Sequence, residues 1–296
     1  MGNKASGDPP QKEEFKEYSH FAEQNTKLFG KVFFYRKKGE SKGTLVRIVS
    51  KKDSQTVLAE PLKRHTEMVK TANDCLLEYK GNTQDMPLME KQKIKEPTFM
   101  NFGSFDFDLD FEITKRQLKK RHFTEAEMWS LLYVTINGLA AMQEAGTDHG
   151  CICRKTILVA SLDFKMIDPH LMGVMKAIVF PYNDLTCFSE ELREGVTPTD
   201  PQSLEQKIKC DVFFLGLALI QACTLEELPD KSNVSVGDLN ALLLTLKVEY
   251  PDDIYRIIRE MLIIKLQVRP DALTLRKILE LRLAASMPLD RVSNKK

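Results

Sequence analysis

The stretch that most constrains this chain is Gly146 to His170, GTDHGCICRKTILVASLDFKMIDPH. It follows a long amphipathic segment and reads as a hairpin. A loop opens at His149, a β-branched strand runs Thr156-Ile157-Leu158-Val159, and a Ser161-Leu162-Asp163 turn leads into a second strand, Phe164 to Ile167. Asp168 closes the unit. Two paired strands with polar groups at their ends make a site platform, because the rigid pairing fixes the loop groups above it.

The length of 296 residues suffices for a large core, either as one two-lobed domain or as two smaller ones. A net charge of +1 gives no global field for nucleic acid, so none is expected as a partner. The best apolar run, Val212 to Cys223, is short and interrupted by Gly216 and Gln221, so no membrane span is expected. No secretory leader is expected either. Six cysteines, Cys75, Cys151, Cys153, Cys187, Cys210 and Cys223, form no C-x-x-C pair. They read as free thiols in a reducing compartment, with cytoplasmic location the expectation; a soft-metal or redox role for the C-x-C of Cys151 and Cys153 is the alternative.

The terminus Met1-Gly2-Asn3-Lys4-Ala5-Ser6 fits the N-myristoylation pattern, with Gly2 as the acyl acceptor. One such chain supports only weak membrane association, and a second signal is needed for stable anchoring. Lys4, Lys12 and Lys16 do not supply it, being offset by Asp8, Glu13, Glu14 and Glu17. The acyl chain could equally fill a pocket in this protein or in a partner. Glu13 to Gln24 places Phe15, Tyr18, Phe21 and Ala22 on one stripe and predicts a short helix, packed on the following domain or docking a partner.

Strands are predicted over Leu28 to Tyr35 and Thr44 to Ser50, then a helix over Leu58 to Val69, and further strands over Cys75 to Tyr79 and Thr98 to Phe102. Phe105 to Asp110 mixes acids and aromatics without calcium-loop spacing and reads as a solvated linker. The basic cluster Lys115, Arg116, Lys119, Lys120, Arg121 and His122 either answers the preceding acids or meets anionic lipid or an acidic, tubulin-like surface. Thr124 and Glu127 form a capping box that starts a helix running to Gly146.

The order of these features resembles the eukaryotic protein kinase fold, whose catalytic loop reads H-R-D-x-K-x-x-N, followed by a strand and D-F-G. His149 stands at the His and Asp168 at the Asp of D-F-G. Cys151 stands where the catalytic Asp belongs, Cys153 at the Lys, Thr156 at the metal-binding Asn, and Pro169-His170 at Phe-Gly. Gly30-Lys31-Val32 matches the tail of the phosphate loop, but Asn25 and Lys27 fill the first glycine positions. Ile48-Val49-Ser50-Lys51 resembles V-A-I-K, with Arg47 the competing register; Glu67, or else Glu60, would be the helix partner of that cation. Phe188 to Leu192 resembles A-P-E with Glu191 at the Glu, Asp211 to Gly216 resembles D-x-W-x-x-G, and Val268-Arg269-Pro270 resembles the closing R-P signature. The resemblance implies that Asp211 accepts hydrogen bonds from loop amides and that Arg269 pairs with Glu191.

The implied fold is α+β and two-lobed, with a small β-rich N-lobe over 27–103, a larger helical C-lobe over 104–285, an arm over 1–26 and a tail over 286–296. Phosphoryl transfer needs a carboxylate for the substrate hydroxyl and oxygen ligands for magnesium. A protonated thiol at Cys151 and a hydroxyl at Thr156 supply neither. The resemblance therefore implies a pseudokinase: no catalytic residue, no required cofactor, a vestigial ATP and magnesium site at Lys51, Glu67 and Asp168, and other proteins as partners in scaffolding or allosteric regulation. The alternatives are a divergent active Ser/Thr-type kinase using Asp148 or Asp163 as base, and a nucleotide-binding switch without turnover. A kinase-like regulatory subunit of phosphatidylinositol 3-kinase complexes is the nearest analogy.

Overall fold

The computed structural model describes residues 18–26, 30–37, 43–72, 74–83, 97–160, 163–172, 203–226, 228 and 234–286. Gly2, Cys187, the Phe188–Leu192 segment with Glu191, and the tail from 287 lie outside them. The fold is mixed α+β with two antiparallel sheets. The first sheet has the order β1-β2-β3-β5-β4 and comprises β1 (Tyr18–Thr26), β2 (Gly30–Lys37), β3 (Gly43–Ser50), β4 (Tyr79–Thr83) and β5 (Pro97–Phe105). Between β3 and β4 come α1 (Lys51–Thr56) and α2 (Ala59–Ala72).

The second sheet is the predicted hairpin with one added strand, in the order β6 (Phe107–Asp108), β7 (Ile157–Ala160) and β8 (Asp163–Met166). Around it are α3 (Leu109–Lys119), α4 (Glu125–Glu144), α5 (Pro169–Met172), α6 (Leu204–Thr224), α7 (Val236–Glu249), α8 (Asp252–Met261) and α9 (Ala272–Ser286). The segment that leads from α2 into β4 joins the second sheet, where Met166 donates its N–H to the Cys75 carbonyl (2.7 Å) and accepts from the Leu77 N–H (2.8 Å).

Two apolar cores lie on either side of the hairpin. Ile157, Val159, Phe164 and Met166 join the large core built by α4, α6, α7, α8 and α9. Leu158, Ile167 and Leu171 join a smaller one with Leu45, Val49, Leu58, Leu77, Met100 and Phe102 from the sheet side. Alternate residues of β7 thus serve different cores, which is why the strand reads as an unbroken apolar run. Helix α6 is apolar on every side, and from Cys210 to Thr224 all its residues are buried.

Thr124 caps α4 in the expected capping box: its hydroxyl accepts from the Glu127 N–H, and the Glu127 carboxylate accepts from the Thr124 N–H (2.7 Å). Two expectations need correction. The predicted helix over Glu13 to Gln24 is not formed in its described part, where Tyr18–Thr26 is a strand paired with β2. A bulge between His20 and Ala22 adds one residue there, so the three-residue spacing that suggested a helix suits a bulged strand. The supposed linker at Phe105 to Asp110 is also structured: Phe107–Asp108 is β6, and Asp108 caps α3 by accepting from the Phe111 N–H (2.8 Å).

Gly216 marks the crossing of α6 and α8. A Cβ there would lie 2.9 Å from the Met261 Cβ and 3.0 Å from two Leu262 side-chain carbons. The Met261 Cβ is fixed to its helix and cannot yield without moving the backbone. Gly216→Ala is expected to destabilise the chain by about 1–3 kcal/mol. Gly138→Ala should cost less, because its added Cβ meets the flexible Met166 Sδ at 2.7 Å. Chemical denaturation of the two variants checks the ranking.

Candidate functional site

The polar groups of the hairpin gather at the end where β7 begins and β8 stops. Asp211, fully buried in α6, holds the preceding loop. Its Oδ2 accepts from the His149 N–H (2.8 Å) and its Oδ1 from the Gly150 N–H (2.9 Å). Gly150 has φ +71°, a left-handed conformation that glycine adopts without strain. The loop next turns inward, and the Cys151 N–H approaches the His149 Nδ1 at 3.3 Å.

Cys151 is 1% exposed, and burial pushes its thiol well above the ordinary range, with Cys153 and Asp211 adding to the effect. Cys153 is raised as well, chiefly by burial. Both thiols are therefore protonated near neutral pH and unsuited to act as base or nucleophile. Thr156 turns its hydroxyl back on the loop: Oγ1 accepts from the Cys153 N–H (3.0 Å) and lies 2.8 Å from the Cys153 carbonyl. These bonds close a 3₁₀ turn over Arg154–Thr156.

Asp168, 3% exposed, is the charged centre of the cluster. Its Oδ2 lies 3.0 Å from the Nδ1 of His65 in α2. Its Oδ1 accepts from the backbone N–H groups of His170 (3.0 Å) and Leu171 (3.3 Å). Burial alone would raise this carboxyl, but the hydrogen bond and charge of His65, followed by the charge of His170, outweigh it and hold it below the ordinary value. The His170 ring meets the Asp148 carbonyl (2.7 Å) and the Thr147 hydroxyl (3.2 Å). Arg47, in the middle of β3, donates from Nη1 to the Leu171 carbonyl (2.8 Å).

Of the two residues expected to share a nucleotide site with Asp168, Glu67 turns elsewhere, and the Lys51 side chain lies outside the described residues. Lys51 begins α1, one residue beyond the end of β3, and Arg47 is the strand cation that reaches the Asp168 segment. Glu67 is 59% exposed and pairs with Lys70 (2.8 Å) instead of any strand cation; Glu60 is exposed too. Sequence reasoning missed His65. The signal was available: the buried positions of α2 are His65, Met68 and Ala72, a helical stripe from which Glu67 is excluded.

Arg269 is 1% exposed and donates to the carbonyls of Ile263 (2.6 Å), Ile264 (2.7 Å) and Lys209 (2.8 Å), with its guanidinium 4.8 Å from the Phe213 ring centre. Its expected partner, Glu191, lies outside the described residues. Of the two proposed substitute bases, Asp163 is exposed at the opposite end of the hairpin, and Asp148 is partly buried beside Gly150. Among the described residues, no three of His, Cys, Asp and Glu are arranged to hold a metal ion, and no helix is long and apolar enough to cross a membrane. No protein-family model matches the chain, and no curated protein matches it.

The bonds of this arrangement tie the end of the hairpin to the elements around it. Asp211, Thr156 and Asp168 are all engaged by other groups of the chain, and the two thiols are held in their neutral form. His149 makes the consequence measurable. Burial drives its pKa from 6.5 down to about 3, against the pull of Asp168. The ring is neutral when folded but protonates near 6.5 when unfolded, so its contribution is complete above that pH and is lost as the pH falls toward 3. The depressed Asp168 carboxyl acts in the same sense, contributing above the ordinary carboxylate range and losing its contribution as pH falls. Stability should fall below pH 6.5 by up to about 1.4 kcal/mol per pH unit for the His149 proton, and His149→Gln should flatten the slope between pH 6.5 and 4.5. Urea midpoints across that range check it. Asp211→Ala, which strands two buried loop amides, should cost about 2–5 kcal/mol in the same assay.

Proposed function

We propose that this chain is a pseudokinase: a degenerate protein-kinase-like fold that works by binding other proteins as a scaffold or allosteric regulator. In this reading the five-stranded sheet with α2 is the small lobe, and the helices around α6 are the large one. Cytoplasmic location and acylation at Gly2 belong to the same reading.

The observation that carries it is the state of Asp168. In an active kinase the equivalent carboxylate must present oxygen to magnesium. Here one oxygen is engaged by His65 and the other by the amides that begin α5. Glu67 pairs with Lys70 instead of turning to Asp168, and a protonated, buried Cys151 holds the base position. This donor set does not suit a magnesium–nucleotide complex. The hydrogen bonds from His149 and Gly150 to Asp211 and the helix crossing at Gly216 support retention of the scaffold, because both are independent of catalysis.

Thermal unfolding with millimolar ATP and magnesium tests the reading. A site filled a hundredfold above its dissociation constant would add about 2.7 kcal/mol, several degrees in melting temperature. The expected outcome is no shift, together with no phosphorylation of a generic peptide pool. A shift that vanishes in Asp168→Ala would favour the nucleotide switch, and peptide phosphorylation lost in the same variant would restore the active kinase. His65→Ala should lower stability by about 3 kcal/mol, because it leaves a buried carboxylate without its partner. It should still create no nucleotide-induced shift, since Glu67 stays on Lys70 and Cys151 stays buried.

A further inference from the structure

The basic cluster that closes α3 divides into two groups. Lys115 pairs with Glu112 (2.9 Å), and Arg116 is forked between Glu112 (2.7 Å) and Glu127 (2.6 Å) while lying 3.9 Å from the Phe123 ring centre. The acid at the start of the helix is answered too, because Asp110 pairs with Arg154 (2.9 Å). Lys119, Lys120 and Arg121 are exposed, and no carboxylate of the described residues lies within ion-pair distance of any of them. The acids of α3 are thus neutralised internally, and three cations are left over at its C-terminal end.

These cations adjoin apolar surface. Leu118 is 83% exposed and Phe111 57% exposed, and their seven-residue separation puts them on one face of the helix. Phe111 also stacks on Phe107 (5.3 Å between ring centres), which firms up the ridge. Apolar residues along a helix ridge with lysine and arginine beside them make an interfacial face: the side chains sink to the headgroup boundary while the cations meet anionic lipid. An acidic protein surface would share the charge preference. The ridge itself favours the lipid, because Leu118 stands almost wholly clear of the protein and needs a yielding apolar phase.

We propose that the exposed face of α3, Phe111 and Leu118 with Lys119, Lys120 and Arg121, docks on an anionic membrane surface and acts as the second signal that an acylated Gly2 requires. The acyl half of this inference rests on the reading above; the α3 half does not. Sedimentation of the full-length protein with phosphatidylcholine vesicles, with and without phosphatidylserine, tests it. The protein is made with and without an N-myristoyltransferase, and its mass shows whether Gly2 is modified.

The unmodified chain should bind weakly, to the phosphatidylserine vesicles alone, and release as salt is raised. The acylated chain should bind both kinds and favour the anionic one. The triple variant Lys119→Gln, Lys120→Asn, Arg121→Gln should lower binding to anionic vesicles about tenfold or more. Leu118→Ser should lower it independently, and both should leave the melting temperature unchanged. Equal binding to the two vesicle types, or full binding by both variants, overturns the proposal. Failure of the unmodified chain to sediment with phosphatidylserine at low salt also overturns it, and points to an acidic protein surface. A mass showing unmodified Gly2 sinks only the acyl reading, since the salt-sensitive binding of the unmodified chain is judged separately.

Discussion

A hairpin whose first strand, β7, has apolar side chains on both faces is the constraint on which this molecule depends. An isolated hairpin is marginal in water. Here β7 and β8 become the partition between two cores, with Ile157 and Val159 turned to the helices and Leu158 to the sheet side. Both cores therefore need the hairpin in place, and among the described residues the sheet-side core draws Leu158, Ile167 and Leu171 from that segment. Neither core is complete without it.

Burying such an element leaves its ends to be satisfied inside the protein, and the polar cluster does so. Asp211 takes up the amides of His149 and Gly150, Thr156 closes the turn before β7, and Asp168 takes up the first amides of α5. Arg269 fills the same need further down, saturating the carbonyls of Ile263 and Ile264 after α8 and reaching Lys209 on α6. A buried ion is costly unless its remaining bonds are filled, and each of these charged groups is provided with several.

How much of this was legible depended on whether the signal was local. The capping box at Thr124 and Glu127 is written within four residues and formed as read. The hairpin stood out because its β-branched run is bracketed by turn residues. What failed was choice of register among similar neighbours. Lysine and glutamate are abundant around α2, so Glu67 was nominated among similar neighbours, whereas burial selects His65 as the α2 residue that meets Asp168. A histidine on an apolar stripe carries little weight until its partner, 103 residues away, is known. The strand at Tyr18–Thr26 was hidden by its bulge, which erases the alternation a strand normally shows.

A strand with one polar face is kept in alignment by water, since sliding by one residue would bury its polar side chains. The β7 strand has no such face. A one-residue slip would merely exchange one set of aliphatic residues for another between the two cores, at a cost set by shape alone. The alignment must be fixed at the ends, and the groups positioned to fix it are Thr156, bonded into its turn, and Asp168, bonded to α2 and α5 at once. Each offers its bonds in one alignment and loses them in the next. Seen in this way, Thr156 and Asp168 act as the pins that tell a doubly buried strand where to stop.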